Sequence, residues 1–175
     1  MPENTEIKKK NNTNNNADSM IVDENHFQVI GFCLSKEEFG VDIFGVKEII
    51  RMPMMTRVPN APEFVVGVVN MRGRVIPIID LCIRFGLPKA ENSEYSEGKI
   101  IVVECENKTV GLIVDAVNEV TNINTAMTES PPPMVSGIKS DYITSIAKLD
   151  NKLLILLDIS KILTIAEESG TQFNF

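Results

Sequence analysis

The sequence predicts an all-β protein, made mainly of strands with a few short helices. Apolar side chains that alternate with polar ones, such as Phe39, Val41 and Ile43, have the two-residue period of half-buried strands. The chain also contains an internal sequence repeat of two copies. Equivalent residues of the two copies are 71 positions apart in the first part of the repeat and 78 positions apart in the second part. Two matched halves of about 60–70 residues, each with roughly five short strands, predict two small β-barrels that leave few strand edges exposed.

The elements of the first half follow in order from these patterns. Strands are expected at 27–34 and 38–43, whereas the segment 44–52 fits either a strand or a short helix. A short helical turn is expected at 63–67, because a proline is tolerated where helices begin. Two apolar strands then flank a polar turn at 70–73.

Two aspartates are expected to cap helices. Asp80 precedes the short segment 81–85, and Asp158 precedes the final helix. The two positions are equivalent in the repeat, and both halves carry the same residue there. A shared residue favours a structural role, so neither carboxylate is expected to be catalytic.

Composition gives the domain boundaries. Residues 1–26 form a polar, Asn-rich stretch that buries too little apolar surface to offset its ordering entropy, so a disordered tail is expected there. The folded domain is expected at 27–165, with the first barrel at 27–92 and the second barrel, which includes the final helix, at 93–165. Residues 166–175 are expected to be a flexible tail.

Charge and hydropathy exclude several partner classes. The formal charge is −7 and the chain has no basic stripe, which argues against nucleic acids and anionic membranes as partners. No apolar run approaches the roughly 18 residues of a membrane span, and the first residues lack the apolar segment of a signal peptide. Three cysteines without paired spacing indicate a reducing compartment, so a cytoplasmic location is expected.

Catalytic and cofactor-binding patterns are not found in the sequence. His26 is the only histidine, and it is expected to be a solvated residue at the edge of the tail. No phosphate-binding glycine motif, metal-ligand spacing or nucleophile–base pair occurs, so no cofactor, no metal and no enzymatic activity are expected.

The turn at 70–73 has the wrong chemistry for a simple hairpin. Arg72 lies between two apolar strands, Gly73 permits a positive φ, and Asn70 can hydrogen-bond locally. The equivalent turn of the second half carries Asp150 and Asn151, which is an ordinary turn sequence. An arginine beside apolar surface is typical of an interface hot spot, although a solvated arginine remains the alternative.

Two other functions stay open from the residues alone. A cleft between the two barrels could bind a small molecule, and gathered carboxylates could support hydrolysis. Glu48 has an equivalent in Glu119, and the sequence supports a structural role and a functional role for Glu48 equally. An adaptor that binds other proteins agrees best with the sequence.

The chain resembles the CheW family of bacterial chemotaxis coupling proteins over nearly all of the expected folded region. The motifs that carry the resemblance are FGVDIFGVKEII, RVPNAPEFVVGVVNMRGRVIPIIDL, TVGLIVDAVNEV and PPPMVSGIKSDYITSIAKLDNKLLILLDISKIL. The resemblance implies two tandem five-stranded SH3-like barrels with a C-terminal helix. One departure is Ser145, which stands where the family commonly has glycine.

The resemblance also implies the function and the binding residues. It implies a non-enzymatic adaptor that connects the cytoplasmic tips of methyl-accepting chemoreceptors with the regulatory domain of the histidine kinase CheA, in arrays at the membrane. The implied receptor-binding residues are Asn70, Arg72, Gly73, Val46, Glu48, Ile49 and Gly67. The kinase contact is expected near Gly111, Val114 and Val117.

Overall fold

The computed structural model describes residues 24–89 and 98–168, and it is mainly β, as the sequence predicts. The strands are β1 (His26–Leu34), β2 (Glu37–Asp42), β3 (Val46–Arg51), β4 (Val65–Met71), β5 (Arg74–Asp80), β6 (Lys99–Cys105), β7 (Lys108–Val114), β8 (Ala116–Asn124), β9 (Thr128–Glu129), β10 (Met134–Val135), β11 (Ile138–Lys139), β12 (Ile143–Leu149) and β13 (Lys152–Leu157). The α-helices are α1 (Leu81–Phe85) and α2 (Ile159–Glu168), and 3-10 turns occur at Ile43–Gly45, Thr125–Met127 and Ser140–Tyr142.

Three local expectations need correction. The predicted helical turn at 63–67 is wrong, because Val65 begins β4 and pairs with Ile79 of β5. His26 is the first residue of β1, and its ring lies 3.2 Å from the side-chain amide of Asn124, so it is not a linker residue. Helix α2 continues to Glu168, and the predicted tails otherwise lie outside the described residues.

The strands form two main sheets. Sheet I has five strands in the order β3-β6-β7-β5-β4, and sheet II has six in the order β8-β1-β2-β13-β12-β9. Neighbouring strands are antiparallel except for two parallel pairs, β2 with β13 and β5 with β7. Under the sequence repeat, the order of sheet I maps strand by strand onto the first five strands of sheet II.

Each sheet takes strands from both halves of the chain, which differs from the predicted arrangement of one barrel per half. Sheet I combines β3, β4 and β5 of the first half with the β6–β7 hairpin of the second half. Sheet II combines β8, β12 and β13 with the β1–β2 hairpin of the first half. The halves therefore exchange their first hairpins, and the two parallel pairs are where the exchanged hairpins join. Strand alternation alone could not reveal this, since it determines which face is buried and not which strand is the neighbour.

The hydrophobic core joins the two sheets into one unit. Its largest cluster includes Phe32 and Phe39 of sheet II, Ile101 and Leu112 of sheet I, and Ile162 of α2, all almost completely buried. Each sheet also has a smaller cluster of its own. Because the shared cluster is the largest, neither sheet is expected to be stable alone.

Both predicted helix caps are confirmed. The Asp80 carboxylate accepts a hydrogen bond from the amide of Ile83 at 3.1 Å, and the Asp158 carboxylate accepts one from the amide of Lys161 at 3.2 Å. Asp80 is the more buried, and its second oxygen lies 3.0 Å from the ammonium group of Lys89. These contacts fix where each helix leaves its sheet.

Arg84 contacts an aromatic ring from each half of the chain. Its guanidinium carbon lies 4.4 Å from the ring centre of Phe64 and 5.4 Å from that of Tyr142. Phe64 and Tyr142 are equivalent in the repeat, so one cation bridges the same position of both halves. Within the described part of the chain, the Nε and Nη2 atoms of Arg84 are buried without a hydrogen-bond acceptor.

Cys82 of α1 should show a pH-dependent contribution to stability. Burial, followed by the negative charges of Asp115 and Asp80, raises the pKa of its thiol from 9.0 to about 11. The unfolded chain loses the thiol proton near pH 9 while the folded chain keeps it, so this contribution is complete below pH 9 and is lost as the pH rises to about 11. Urea unfolding of the parent chain and of Cys82→Ala at pH 8 and pH 10.5 should show a steeper decline for the parent. Equal declines would contradict the assignment.

Candidate functional site

The Arg72 hairpin joins β4 to β5 through a strained two-residue turn. Arg72 has φ 50° and Gly73 has φ 80°, which are the two positive values of a type I′ turn. The Asn70 side-chain oxygen accepts a hydrogen bond from the amide of Gly73 at 3.1 Å, as the sequence predicts. A left-handed conformation costs a residue such as arginine about 1–2 kcal/mol relative to its ordinary backbone regions. The turn therefore keeps an arginine where asparagine or glycine would be less strained.

The equivalent turn of sheet II has a different backbone. Within the described residues, Asp150 and Asn151 are not among those with positive φ. The hairpin still has two residues between the paired positions Leu149 and Lys152. The two copies therefore differ in chemistry and in conformation, and only the first presents a cation.

Glu48 is the partner of Arg72. The guanidinium Nη2 lies 3.5 Å from the Glu48 carboxylate, and the side chain of Arg72 is 84% exposed. This contact connects β3, at one edge of sheet I, with the turn beside β4 at the other edge, so the two edges approach each other as in a barrel. An exposed pair of this kind contributes less than about 1 kcal/mol to stability. Its main effect is to orient the guanidinium while leaving most of its donors accessible.

A second group of charges lies next to this pair. Glu104 of β6 is 3.4 Å from the ammonium group of Lys47 and 3.9 Å from the guanidinium of Arg74. Hydrogen bonds from Thr109 and then Lys47 lower the pKa of the Glu104 carboxyl below its usual value. The Arg72 hairpin thus contributes two cations, Arg72 and Arg74, to a group that also contains Lys47, Glu48 and Glu104.

Apolar side chains accompany the charges. Ile49, which follows Glu48, is 42% exposed, and Val75, which pairs with Asn70, is 43% exposed. Met71 packs against the small cluster of sheet I. A surface that combines a positioned arginine with exposed apolar side chains has the composition of a protein-binding site.

Two of the predicted receptor-binding residues have packing roles. Gly67 is buried, and a Cβ atom there would lie 2.8 Å from the carbonyl oxygen of Thr56. The glycine therefore allows the loop before β4 to form a bridge with Val68. Val46 is half-buried and packs against the large cluster. Neither presents a free side chain beside Arg72.

The predicted kinase-contact residues are mostly inside the protein. Gly111 and Val114 are buried in β7, the central strand of sheet I. Direct contact with a partner through these two positions is not compatible with this fold. Val117 in β8 is half-buried. These residues were expected at the kinase contact because of the family resemblance, and a resemblance does not show which strand is central in a sheet.

Several exposed apolar residues were missed by the sequence reasoning. Phe44 is 89% exposed in the 3-10 turn after β2, and Met54 is 98% exposed in the loop after β3. The available signal for Phe44 was the Asp42-Ile-Phe-Gly sequence, because Asp42 accepts a hydrogen bond from the amide of Phe44 at 2.8 Å and begins a turn. Alternation had instead placed Ile43 in the strand and left 44–52 as either a strand or a short helix.

The described residues contain neither a cluster suited to a metal ion nor a helix suited to a membrane. Across residues 24–89 and 98–168, no group of three or more His, Cys, Asp or Glu side chains is placed to hold a metal ion. The same part of the chain contains no helix that is long and apolar enough to span a membrane.

Known proteins resemble the chain over most of its length. Residues 28–167 match the family model of the CheW-like domain. Chemotaxis protein CheW of Treponema pallidum (strain Nichols) is 35% identical over 150 residues, which are 85% of this chain and 88% of that protein. Chemotaxis protein CheW of Bacillus subtilis (strain 168) is 34% identical over 136 residues, which are 78% and 86% of the two chains.

A solved structure agrees with this relationship. The crystal structure of the scaffolding protein TtCheW from Thermoanaerobacter tengcongensis has a TM-score of 0.70 and 40% sequence identity, and the match covers 76% of this chain and 84% of that one. Sequence and fold point to the same family. The chain therefore belongs to the family of CheW-like domain proteins.

Proposed function

We propose that the chain is a non-enzymatic adaptor that couples methyl-accepting chemoreceptors to the histidine kinase CheA in signalling arrays. Its relatives are named as chemotaxis proteins, and the similar solved structure is that of a scaffolding protein. The observation that carries the receptor contact is Arg72, which is held in a left-handed turn beside Glu48 with 84% of its side chain exposed.

The receptor surface is assigned to the Arg72 hairpin and the adjacent part of β3. Arg72 supplies planar hydrogen-bond donors for a carboxylate or carbonyl group on the receptor tip. Ile49 and Val75 are exposed apolar side chains on the strands that border this hairpin, although Ile49 points to the face of β3 opposite Glu48. A surface of this composition fits an amphipathic helix, whose apolar stripe is flanked by polar groups.

The kinase contact is assigned to a different surface. Of the three residues expected there, Val117 alone has partial exposure, and it lies in β8 at the edge of sheet II. Val120 of the same strand is 48% exposed. Separate surfaces would let one molecule hold the receptor and the regulatory domain of CheA at the same time.

Co-sedimentation tests the adaptor role directly. Receptor cytoplasmic fragments arranged on vesicles are mixed with CheA, with and without this protein, and the pelleted kinase is measured. The pelleted kinase is expected to rise several-fold when the protein is present, because it contributes one contact to each partner. Vesicles without receptor fragments are the control. Equal pelleting of CheA in the absence of the protein would show that coupling is not its role.

A further inference from the structure

Sheet II contains a pocket at the position that is equivalent to the Arg72–Glu48 site of sheet I. Its volume is about 400 Å³, and its walls come from β1, β2, β8, β12 and β13. Glu38, Glu119 and Lys152 are among the residues that line it. We call it the sheet II pocket.

The repeat explains why this space is open. Gly31 in the pocket is equivalent to Val102, and Thr121 is equivalent to Ile50. In sheet I, Val102 is a buried member of the small apolar cluster and Ile50 packs against that cluster. Smaller or more polar residues at the same places leave a polar cavity in sheet II.

The charges of the two equivalent sites are opposite. Glu48 has a cation beside it in Arg72, whereas its equivalent Glu119 has Asp150 at the corresponding turn position. Lys152 is already held by Glu38, with 2.5 Å between nitrogen and oxygen. In the parts of the chain that the structure describes, no hydrogen bond or ion pair reaches the carboxylate of Glu119. The pocket is therefore acidic, with a carboxylate that lacks the cation its counterpart has.

The chain itself carries a segment that matches this pocket. Lysines at 8–10 form the longest run of like charge in the sequence. Lys10 lies 14 positions before Glu24, where the described structure begins next to β1, a strand of the pocket wall. For any chain without secondary structure, a 14-residue separation corresponds to an end-to-end distance of about 20 Å. Gly31 lies five residues into β1 from His26, which is about 17 Å along a strand.

We propose that the sheet II pocket binds the basic segment 8–10 of the same chain, whose ammonium groups take at Glu119 the place that Arg72 takes at Glu48. Three observations favour this occupant: the length of chain between Lys10 and β1, the opposite charges of the lysines and Glu119, and the cation at the equivalent site of sheet I. The segment then covers the acidic face of sheet II and leaves the Arg72 hairpin of sheet I accessible. The contact does not rest on the adaptor role proposed above, but it shares β8 with the proposed kinase surface.

Zero-length cross-linking tests this contact in the full chain. A carbodiimide joins a lysine amine to a carboxylate only when the two groups touch, and peptide mass spectrometry locates the new amide. We expect links from Lys8, Lys9 or Lys10 to Glu119 in the monomeric fraction. Glu119→Gln should remove these links, whereas Glu106→Gln, at an exposed carboxylate in the β6–β7 turn, should leave them unchanged. Links found only in covalent dimers, or equally frequent at Glu106 and Glu119, would overturn the proposal.

Amide chemical shifts give a second measurement. The full chain that carries Lys8→Glu, Lys9→Glu and Lys10→Glu is compared with the parent at low ionic strength. The amides of Gly31 and Thr121 should shift while that of Gly73 does not, and the differences should shrink in 0.5 M salt as screening weakens the attraction. Unchanged shifts at the pocket would refute cis binding, and shifts in the parent that depend on protein concentration would assign the contact to a second copy.

Discussion

Replacing Arg72 with aspartate is expected to weaken receptor binding about 30-fold, which corresponds to roughly 2 kcal/mol for a central interface arginine. The substitution removes the planar donors and puts a carboxylate beside Glu48, so the site changes from attraction to repulsion. Titration of receptor fragments by co-sedimentation measures the loss. The melting temperature should stay within about 2 °C, because an exposed ion pair contributes little to stability.

A matched control separates the site from the overall charge. Lys36 is an exposed cation in the β1–β2 turn of sheet II, and Lys36→Asp changes the net charge by the same amount. This variant should bind receptor fragments like the parent. If both variants lost binding equally, long-range charge would explain the effect. Normal binding by Arg72→Asp would place the receptor contact elsewhere.

Gly111→Ala is expected to destabilise the fold by about 1–3 kcal/mol, because it overpacks a filled core. A Cβ atom at this position would lie 2.5 Å from Cδ1 of Ile78 and 2.7 Å from Cγ2 of Ile100. Thermal unfolding should show a decrease of several degrees, at about 2–4 °C per kcal/mol for a chain of this size. Any loss of CheA binding should follow the unfolded fraction and vanish at temperatures where the variant is folded.

Gly40→Ala is the control for Gly111→Ala, since the two glycines are equivalent in the repeat. The nearest atoms to a Cβ at position 40 are Cδ2 of Leu156 at 3.0 Å and Cγ2 of Val29 at 3.3 Å, so smaller movements suffice. Its loss of stability should be clearly smaller. A Gly111→Ala variant as stable as the parent, with weakened CheA binding, would return Gly111 to the kinase surface and contradict its packing role.

Local structure was predictable where one residue determines it. The caps at Asp80 and Asp158 form because each side chain accepts a hydrogen bond from a backbone amide three residues later. The Asn70–Gly73 contact has the same chemistry and the same spacing. The exchange of hairpins was not predictable in this way. It depends on β2 pairing with β13 and β5 pairing with β7, and strand propensity contains no information about such distant partners.

The site was predictable in its central residue and less so around it. Arg72 stood out because the repeat supplied an ordinary turn for comparison, and the ion pair with Glu48 agrees with the predicted neighbourhood. Gly67 and Gly111 were expected at binding sites from the family resemblance alone, and the structure shows that each glycine admits a neighbouring backbone or side chain.

The hairpin exchange has a consequence for how the protein is made. About 110 residues separate the end of β2 at Asp42 from the start of β13 at Lys152, its neighbour in sheet II. At about 5–20 residues per second, the ribosome needs roughly 5–20 seconds to supply that neighbour. During this interval the nascent chain carries an unfinished sheet with an open edge, which is the kind of species that chaperones protect from aggregation.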